Sequence, residues 1–159
     1  MRHTVFAALC LALAACSPSS GDAAPQSTQT PAGVHPVSGL AVIPLTITHN
    51  GKAHSFRVEV AASTQEQARG LMFRTELGPD EGMIFPMDPP RNASFWMKNT
   101  VIPLDIIYIG TDGRILNIAD AKPYDETPLP SAGTVKGVLE LAAGRSKELG
   151  IGPGDMAAW

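Results

Sequence analysis

The sequence contains little cysteine and little charge. Its two cysteines are Cys10 and Cys16, so residues 17–159 can form no disulfide and hold no cysteine nucleophile. Charged residues make up 17% of the chain and the net charge is −3, which removes the electrostatic basis for binding nucleic acid. Hydrophobic residues make up 44%, a proportion typical of a globular protein, and 159 residues are enough for one domain.

Sequence motifs of the common enzyme and cofactor-binding classes are also absent. There is no Gly-x-Ser-x-Gly or Ser-x-x-Lys motif, no phosphate-binding loop and no dinucleotide fingerprint. His35, His49 and His54 are scattered along the chain and form no zinc-binding pattern. The sequence therefore predicts no cofactor and no metal, and it favours a non-catalytic protein over an enzyme.

The first sixteen residues have the layout of an export signal. Arg2 precedes an apolar run at residues 5–14, which is shorter than the ~20 residues of a membrane-spanning helix. The next segment, Leu13-Ala14-Ala15-Cys16, resembles the lipobox of bacterial lipoproteins. It implies that residues 1–15 are a signal peptide and that lipid on Cys16 anchors the protein to a membrane. An ordinary signal peptide cut elsewhere is the alternative. By the same resemblance, Ser17 in place of aspartate favours the outer membrane over the inner membrane.

Residues 16–37 are predicted to be a flexible tether, and residues 38–159 a folded domain. The tether is rich in Ser, Pro, Gln, Thr and Ala and has almost no large apolar group, so it cannot bury enough surface to order itself. Such a tether would hold the domain away from the lipid on the periplasmic side.

The domain pattern predicts short strands joined by tight turns. Residues 40–48 and 53–60 flank Asn50 and Gly51, which is typical of a hairpin. In the second run, alternation places Phe56 and Val58 inward and Glu59 outward. Residues 104–109 and 114–118 form a second hairpin around Gly110-Thr111-Asp112-Gly113.

Further elements complete the expected fold. Ser63 and Glu66 have the spacing of a capping box, so a short helix begins there and ends near Gly70. Residues 93–98 and 135–141 are further strands, and the tail offers one helical turn and a short last strand. Three prolines are expected to break the chain after residues 82–85, namely Pro86, Pro89 and Pro90. The fold class is mainly β: a compact β-sandwich or barrel-like domain of short antiparallel strands with one or two short helices.

Several blocks of the domain closely resemble one known family. They are Gly70-Leu71-Met72-Phe73-Arg74, Gly82-Met83-Ile84-Phe85, Phe95-Trp96-Met97-Lys98-Asn99-Thr100, Ile102-Pro103-Leu104-Asp105-Ile106, and Val138-Leu139-Glu140-Leu141 with Gly144. The chain resembles the DUF192 family, also called UPF0127, over residues 42–156. The resemblance implies a compact all-β domain of unknown function, and it supplies no catalytic or binding residues.

Asp105 is the least expected residue of the predicted strands. It shares a strand face with Ile107 and Ile109 inside an apolar run, and an unpaired buried carboxylate would cost several kcal/mol. We expect Lys98 or Arg74 to pair with it. Such a polar cluster is either a ligand site at the floor of a cleft, or a structural ion pair or turn cap.

Trp96, Lys98 and Asn99 suggest a binding surface. Alternation places Trp96 and Lys98 on one strand face and Asn99 on the other. An aromatic ring beside Lys and Asn suits a sugar or a peptide, whereas a large core residue is the alternative interpretation of Trp96. The predicted cleft consists of Arg74, Trp96, Lys98, Asn99, Asp105 and Glu140.

Three functions therefore remain open. The first is a non-catalytic envelope module that binds a small ligand, a glycan or an envelope protein in this cleft. The second is a small hydrolase of envelope material with Asp105 and Glu140 as acid and base, which requires the two carboxylates on one face within about 10 Å. The third is a Cu(I)-binding protein using Met72, Met83, Met87 and Met97 with His49 or His54.

Overall fold

The computed structural model of the protein describes residue 1 and residues 33–159, so Cys16 and most of the predicted signal peptide and tether lie outside the described residues. The described part contains ten strands and two short helices. In chain order these are β1 (Gly33–Val34), β2 (Ala41–His49), β3 (Lys52–Val60), α1 (Thr64–Arg69), β4 (Glu81–Arg91), β5 (Ser94–Phe95), β6 (Leu104–Gly110), β7 (Ile115–Ala121), β8 (Leu129–Pro130), β9 (Val135–Ala142), α2 (Arg145–Leu149) and β10 (Met156–Ala158). None of the helices of residues 33–159 has the length and apolarity needed to cross a membrane.

Eight of the strands form one sheet, which confirms the predicted mainly β fold. Their order is β1, β2, β3, β4, β9, β6, β7, with β10 also paired to β2. Both predicted hairpins are present as β2–β3 and β6–β7. The pairing of β3 with β4 is parallel, unlike the antiparallel arrangement expected throughout, because α1 and the following loop carry the chain back to the same end of the sheet.

The sheet is curled around a first apolar core without closing into a barrel. β10 pairs with β2, and a single bridge joins Met156 of β10 to Arg114 at the start of β7. Residues from both of these regions pack on the same core, which includes Leu45, Ile107 and Leu139. The curl therefore brings opposite parts of the sheet together around one interior.

The other face of the sheet is covered as well. Leu71, Phe85, Met97 and Tyr108 belong to a second apolar core that packs under the loops between the strands. Every residue of β6 is consequently buried. The expectation that Glu59 faces solvent is wrong for this reason: it does lie opposite Val58, but that side of the sheet is also covered and Glu59 is only 3% exposed.

The prolines of residues 86–90 do not end β4 as the sequence suggests. Pro86 pairs with Gly137 and Arg91 with Val135, so residues 87–90 lie opposite Lys136 alone in an irregular stretch of the ladder. A proline that donates no ladder hydrogen bond is tolerated at such a bulge. The predicted strand at residues 93–98 is shorter than expected, since only Ser94 and Phe95 pair, with β8.

Asp105 holds α2 in place. Its Oδ1 accepts a hydrogen bond from the backbone N–H of Gly144 at 2.9 Å, and its Oδ2 accepts one from Ser146 at 2.8 Å. Neither Lys98 nor Arg74 pairs with it, so the expected ion pair is not formed and the carboxylate is the cap of a helix. Asp105 is 1% exposed, and these two bonds compensate for the loss of water.

Replacing Asp105 tests this capping role. Asp105→Asn keeps the shape of the side chain but turns an amide N–H toward a backbone N–H, so we expect the free energy of unfolding to fall by about 2 kcal/mol in urea denaturation. Asp120→Asn is the matched control, because Asp120 is exposed opposite Asp105 on β7, and should change stability by no more than about 0.5 kcal/mol. Equal stabilities of the two variants would contradict the assignment.

Candidate functional site

Three loops meet on one surface of the domain. The backbone N–H of Phe73 donates to the carbonyl of Asn99 at 2.9 Å, and that of Tyr124 donates to the carbonyl of Thr100 at 3.1 Å. The N–H of Met97 donates to the carbonyl of Asp125 at 2.8 Å. Residues 71–74, 96–100 and 122–127 therefore lie side by side, and we call them the loop cluster.

The backbone of the loop cluster is held in an uncommon conformation. Phe73, Asn99 and Tyr124 have φ of 65°, 54° and 60°, in the left-handed region that only asparagine among them adopts with ease. The one other non-glycine residue of this kind in residues 33–159 is Asn50, in the tight turn between β2 and β3. Strained residues that gather at one place are typical of ligand-binding sites.

The loop cluster exposes three aromatic rings. Phe73 is 63% exposed, Trp96 49% and Tyr124 62%. Trp96 is therefore not the core residue of the alternative interpretation, because the strand ends at Phe95 and the alternation that would bury its ring does not continue. The ammonium of Lys98 lies 5.2 Å from the centre of the Trp96 ring, a cation–π distance. Asn99 is exposed beside them.

Buried residues anchor these loops to the second core. Met97 is 1% exposed and lies between Trp96 and Lys98 in the chain. Phe95 packs edge-on against Phe85 at 5.0 Å and against Tyr108 at 6.2 Å. The Tyr108 hydroxyl donates to the carbonyl of Leu129 and so ties down the loop that carries Tyr124. The exposed rings therefore stand on a packed support.

A cleft opens beside Trp96, between α1 and the end of β4. Its volume is about 360 Å³. Besides Trp96 it is lined by polar side chains of Thr64, Gln67, Arg91, Asn92 and Ser94 and by apolar ones of Ala68, Met87, Ala93 and Phe95. We call it the Trp96 cleft.

The side chain of Arg74 makes its contacts outside the loop cluster. Its guanidinium donates to both carboxylate oxygens of Glu59, at 2.9 and 3.2 Å, and its other terminal nitrogen lies 3.2 Å from Nε2 of His35. The side chains of Arg74 and Glu59 are 14% and 4% exposed. Arg74 thus neutralises a buried glutamate, and it does not join Asp105 as the sequence suggests.

Glu140 is buried within the sheet. It pairs with Met83 on β4 and Ile106 on β6, both of the second core, and its Oε2 has no hydrogen-bond partner among the described residues. Burial raises the pKa of the Glu140 carboxyl to about 8. Burial of the Tyr108 hydroxyl raises its pKa, and the nearby Glu140 carboxyl raises it further.

Asp105 and Glu140 do not form the acid and base pair of the hydrolase hypothesis. In the β6–β9 ladder Asp105 pairs with Leu141 and Ile106 pairs with Glu140, so the two carboxylates point to opposite faces of the sheet. Leu141 belongs to the first core and Ile106 to the second. The sequence predicts that six residues lie in one cleft. Of these six, the structure brings together only Trp96, Lys98 and Asn99.

The histidines of the copper hypothesis do not join its methionines, since His54 pairs with Ile47 of the first core. Met83, Met87 and Met97 are buried in the second core. The Nδ1–H of His49 donates a hydrogen bond at 3.0 Å to Asp155, and the His49 ring lies beside Gly150. In residues 33–159 no group of three or more His, Cys, Asp or Glu side chains is arranged to hold a metal ion.

Sequence reasoning missed Phe73, Tyr124 and Arg91 as site residues. Tyr124 follows Pro123 in a loop rich in proline, and an aromatic residue in such a loop is a usable indication of a binding surface. Phe73 lies in an apolar block that looks like core, and its exposure follows from its left-handed backbone. Arg91 stands after a run of prolines that hides the continuation of β4.

The buried carboxyl of Glu140 predicts a pH dependence of stability. Its pKa is about 8 in the folded protein and near 4.5 in the unfolded chain. Below pH 4.5 both states hold the proton; between 4.5 and 8 only the unfolded state releases it, so the free energy of unfolding falls as pH rises and levels off above 8. Glu140→Gln cannot ionise, and we expect it to remove this slope and to be a few kcal/mol more stable than the native protein at pH 8.5.

Chemical denaturation at a series of pH values measures this effect. Glu76→Gln is the control, since Glu76 is exposed and should leave the slope unchanged. Parallel profiles for the native protein and Glu140→Gln would show that Glu140 is ionised in the fold.

Comparison with known proteins identifies the family. The DUF192 family model, described as Uncharacterized ACR, matches residues 45–159. The crystal structure of a protein of unknown function from Novosphingobium aromaticivorans has a TM-score of 0.80 and 57% identity, covering 82% of this chain and 94% of that one. A Sinorhizobium meliloti protein, described as a candidate transcription regulator, has a TM-score of 0.72 and 39% identity, covering 75% and 94%. No curated protein matches the chain. Since the family model spans most of the chain, this protein belongs to the DUF192 family, as its sequence motifs predict.

Proposed function

We propose that the domain is a non-catalytic binding module of the bacterial envelope and that carbohydrate binds on its loop cluster. The observation that carries the proposal is the exposure of Phe73, Trp96 and Tyr124 on three loops joined through their backbones. Water is an unfavourable environment for an exposed aromatic ring, and a sugar ring that stacks on it removes this apolar surface from water. A rigid aromatic side chain also loses little conformational entropy on binding.

Polar groups beside the rings suit sugar hydroxyls. Asn99 and Lys98 are both exposed, and an amide and an ammonium supply donors and an acceptor for orientation. The Asn99 amide nitrogen lies 3.9 Å from the sulfur of Met72, the residue before Phe73 in the chain. This mixture of rings and hydrogen-bonding groups favours an oligosaccharide over a purely apolar ligand.

The chemistry of the site favours binding over hydrolysis. The two carboxylates that sequence offered as acid and base are buried on opposite faces of the sheet. Arg74 is neutralised by Glu59. The acids of the loop cluster, Asp125 and Glu126, are neighbours on one of its three loops, and the other two loops carry no carboxylate to face them.

Location at the envelope is part of the proposal. Cleavage before Cys16 and lipid on its thiol would leave the domain on the periplasmic side of a membrane, and Ser17 favours the outer one. The segment Leu13-Ala14-Ala15-Cys16 supports this. The relative described as a candidate transcription regulator suggests nucleic acid instead, but a net charge of −3 gives no electrostatic support for that partner.

Isothermal titration calorimetry with chitooligosaccharide and with soluble peptidoglycan fragments tests the proposed function. Trp96→Ala should weaken binding about tenfold, which corresponds to about 1.4 kcal/mol, and Tyr124→Ala should weaken it further in the double variant. Trp159→Ala is the matched control, because Trp159 is 39% exposed but packs beside Gly137 and Lys136, away from the loop cluster. Binding of neither glycan, or equal losses in the control, would refute the proposal.

Replacing Cys16 tests the anchor. Cys16→Ser removes the thiol that would accept lipid, so we expect the protein to leave the membrane fraction of cells and to lose the lipid mass in mass spectrometry of the intact protein. Unchanged membrane association of the variant would show that another segment holds the protein there.

A further inference from the structure

The lining of the Trp96 cleft holds no acid, unlike the linings of three other clefts in residues 33–159. Its lining includes one basic residue, Arg91, and no Asp or Glu. The cleft beside residues 37–40 contains Glu66, and two clefts around His35 both contain Glu81. Local charge in the Trp96 cleft is therefore positive although the whole chain is acidic.

The guanidinium of Arg91 has unused hydrogen-bonding capacity. Its one polar side-chain contact among residues 33–159 is the Oε1 of Gln67 at 3.4 Å, and no carboxylate of these residues lies within 4.0 Å. A guanidinium has five N–H donors in a planar fork that matches a carboxylate. Most of these donors are free for a ligand.

Gln67 fixes the position of this guanidinium. Its amide nitrogen donates to the backbone carbonyls of Pro86 at 2.8 Å and Ala61 at 3.2 Å. Because the nitrogen is engaged there, the amide oxygen turns toward Arg91. This hydrogen bond from Arg91 to a residue of α1 links the charged group to the helix that lines the Trp96 cleft.

We propose that the Trp96 cleft binds an acidic sugar, whose ring stacks on Trp96 while its carboxylate pairs with Arg91. The inference deepens the proposed carbohydrate function and rests on it. A volume of about 360 Å³ admits one or two sugar rings. Asn92 and Ser94 also line the Trp96 cleft and can form hydrogen bonds to sugar hydroxyls.

Uronic acids and N-acetylmuramic acid are two kinds of sugar with such a carboxylate. In a uronic acid it is attached to the ring carbon skeleton, and in N-acetylmuramic acid it lies on a lactyl ether. Both present one anionic group beside a sugar ring, so the cleft chemistry is shared. Oligogalacturonate and muramyl disaccharide distinguish them, each compared with a neutral partner of the same size: methyl-esterified oligogalacturonate and N-acetylglucosamine disaccharide.

Calorimetry on the full chain with these four ligands tests the inference. We expect at least one acidic ligand to bind about tenfold more tightly than its neutral partner, and this preference to weaken as salt is raised. Arg91→Gln should abolish the preference, so that the acidic ligand binds no more tightly than its neutral partner, whereas Arg91→Lys should retain part of it. Arg57→Gln, at an exposed arginine of β3, is the control and should change nothing.

The outcomes separate the two proposals. If acidic and neutral ligands bind equally, or if Arg91→Gln keeps the preference, the acidic-sugar inference is wrong and the carbohydrate function stands. If the preference depends on Lys98→Gln and not on Arg91→Gln, the anion binds over the loop cluster and not in the Trp96 cleft. If none of the four ligands binds, both proposals fail. Thermal unfolding of each variant, measured alongside, shows that the fold is intact.

Discussion

Burial of both faces of the sheet is the constraint on which the rest of the structure depends, because every polar group on the central strands must then be satisfied inside the protein. Three carboxylates meet this constraint in three ways. Asp105 accepts two backbone N–H groups of the α2 turn. Glu59 receives the guanidinium of Arg74. Glu140 has an oxygen without a partner among residues 33–159, and burial raises the pKa of its carboxyl to about 8, so the proton is retained at neutral pH.

The second core also determines the shape of the exposed surface. Met97 is part of this core and Phe95 packs against it. Trp96, between them, and Lys98, after Met97, therefore turn outward. Left-handed conformations at Phe73 and Tyr124 cost on the order of 1–3 kcal/mol each, and the backbone hydrogen bonds to residues 99 and 100 help to offset this. The resulting surface is set before any ligand arrives, which lowers the entropy that binding has to overcome.

Sequence patterns predicted those parts of the fold that depend on neighbouring residues. Asn50 and Gly51 adopt the left-handed turn that a two-residue hairpin needs, and Ser63 and Glu66 form both bonds of the capping box. Alternation gave the correct side for Glu59 but not its burial, because one strand carries no information on what covers that side. The loop cluster was missed for the same reason, since its three segments meet only through long-range backbone contacts.

The positions of the acids also bear on what kind of protein this is. A raised pKa indicates a functional group when the group lies in a cleft that a ligand can enter, but Glu140 lines none of the clefts described above. Its shift follows from desolvation, and its main consequence is for stability. The polar groups that line the Trp96 cleft are hydroxyl, amide and guanidinium groups, with the rings of Phe95 and Trp96 beside them. Such groups stack, donate hydrogen bonds and attract anions, and they lack the paired acid and base that bond cleavage needs, so this surface is suited to recognition.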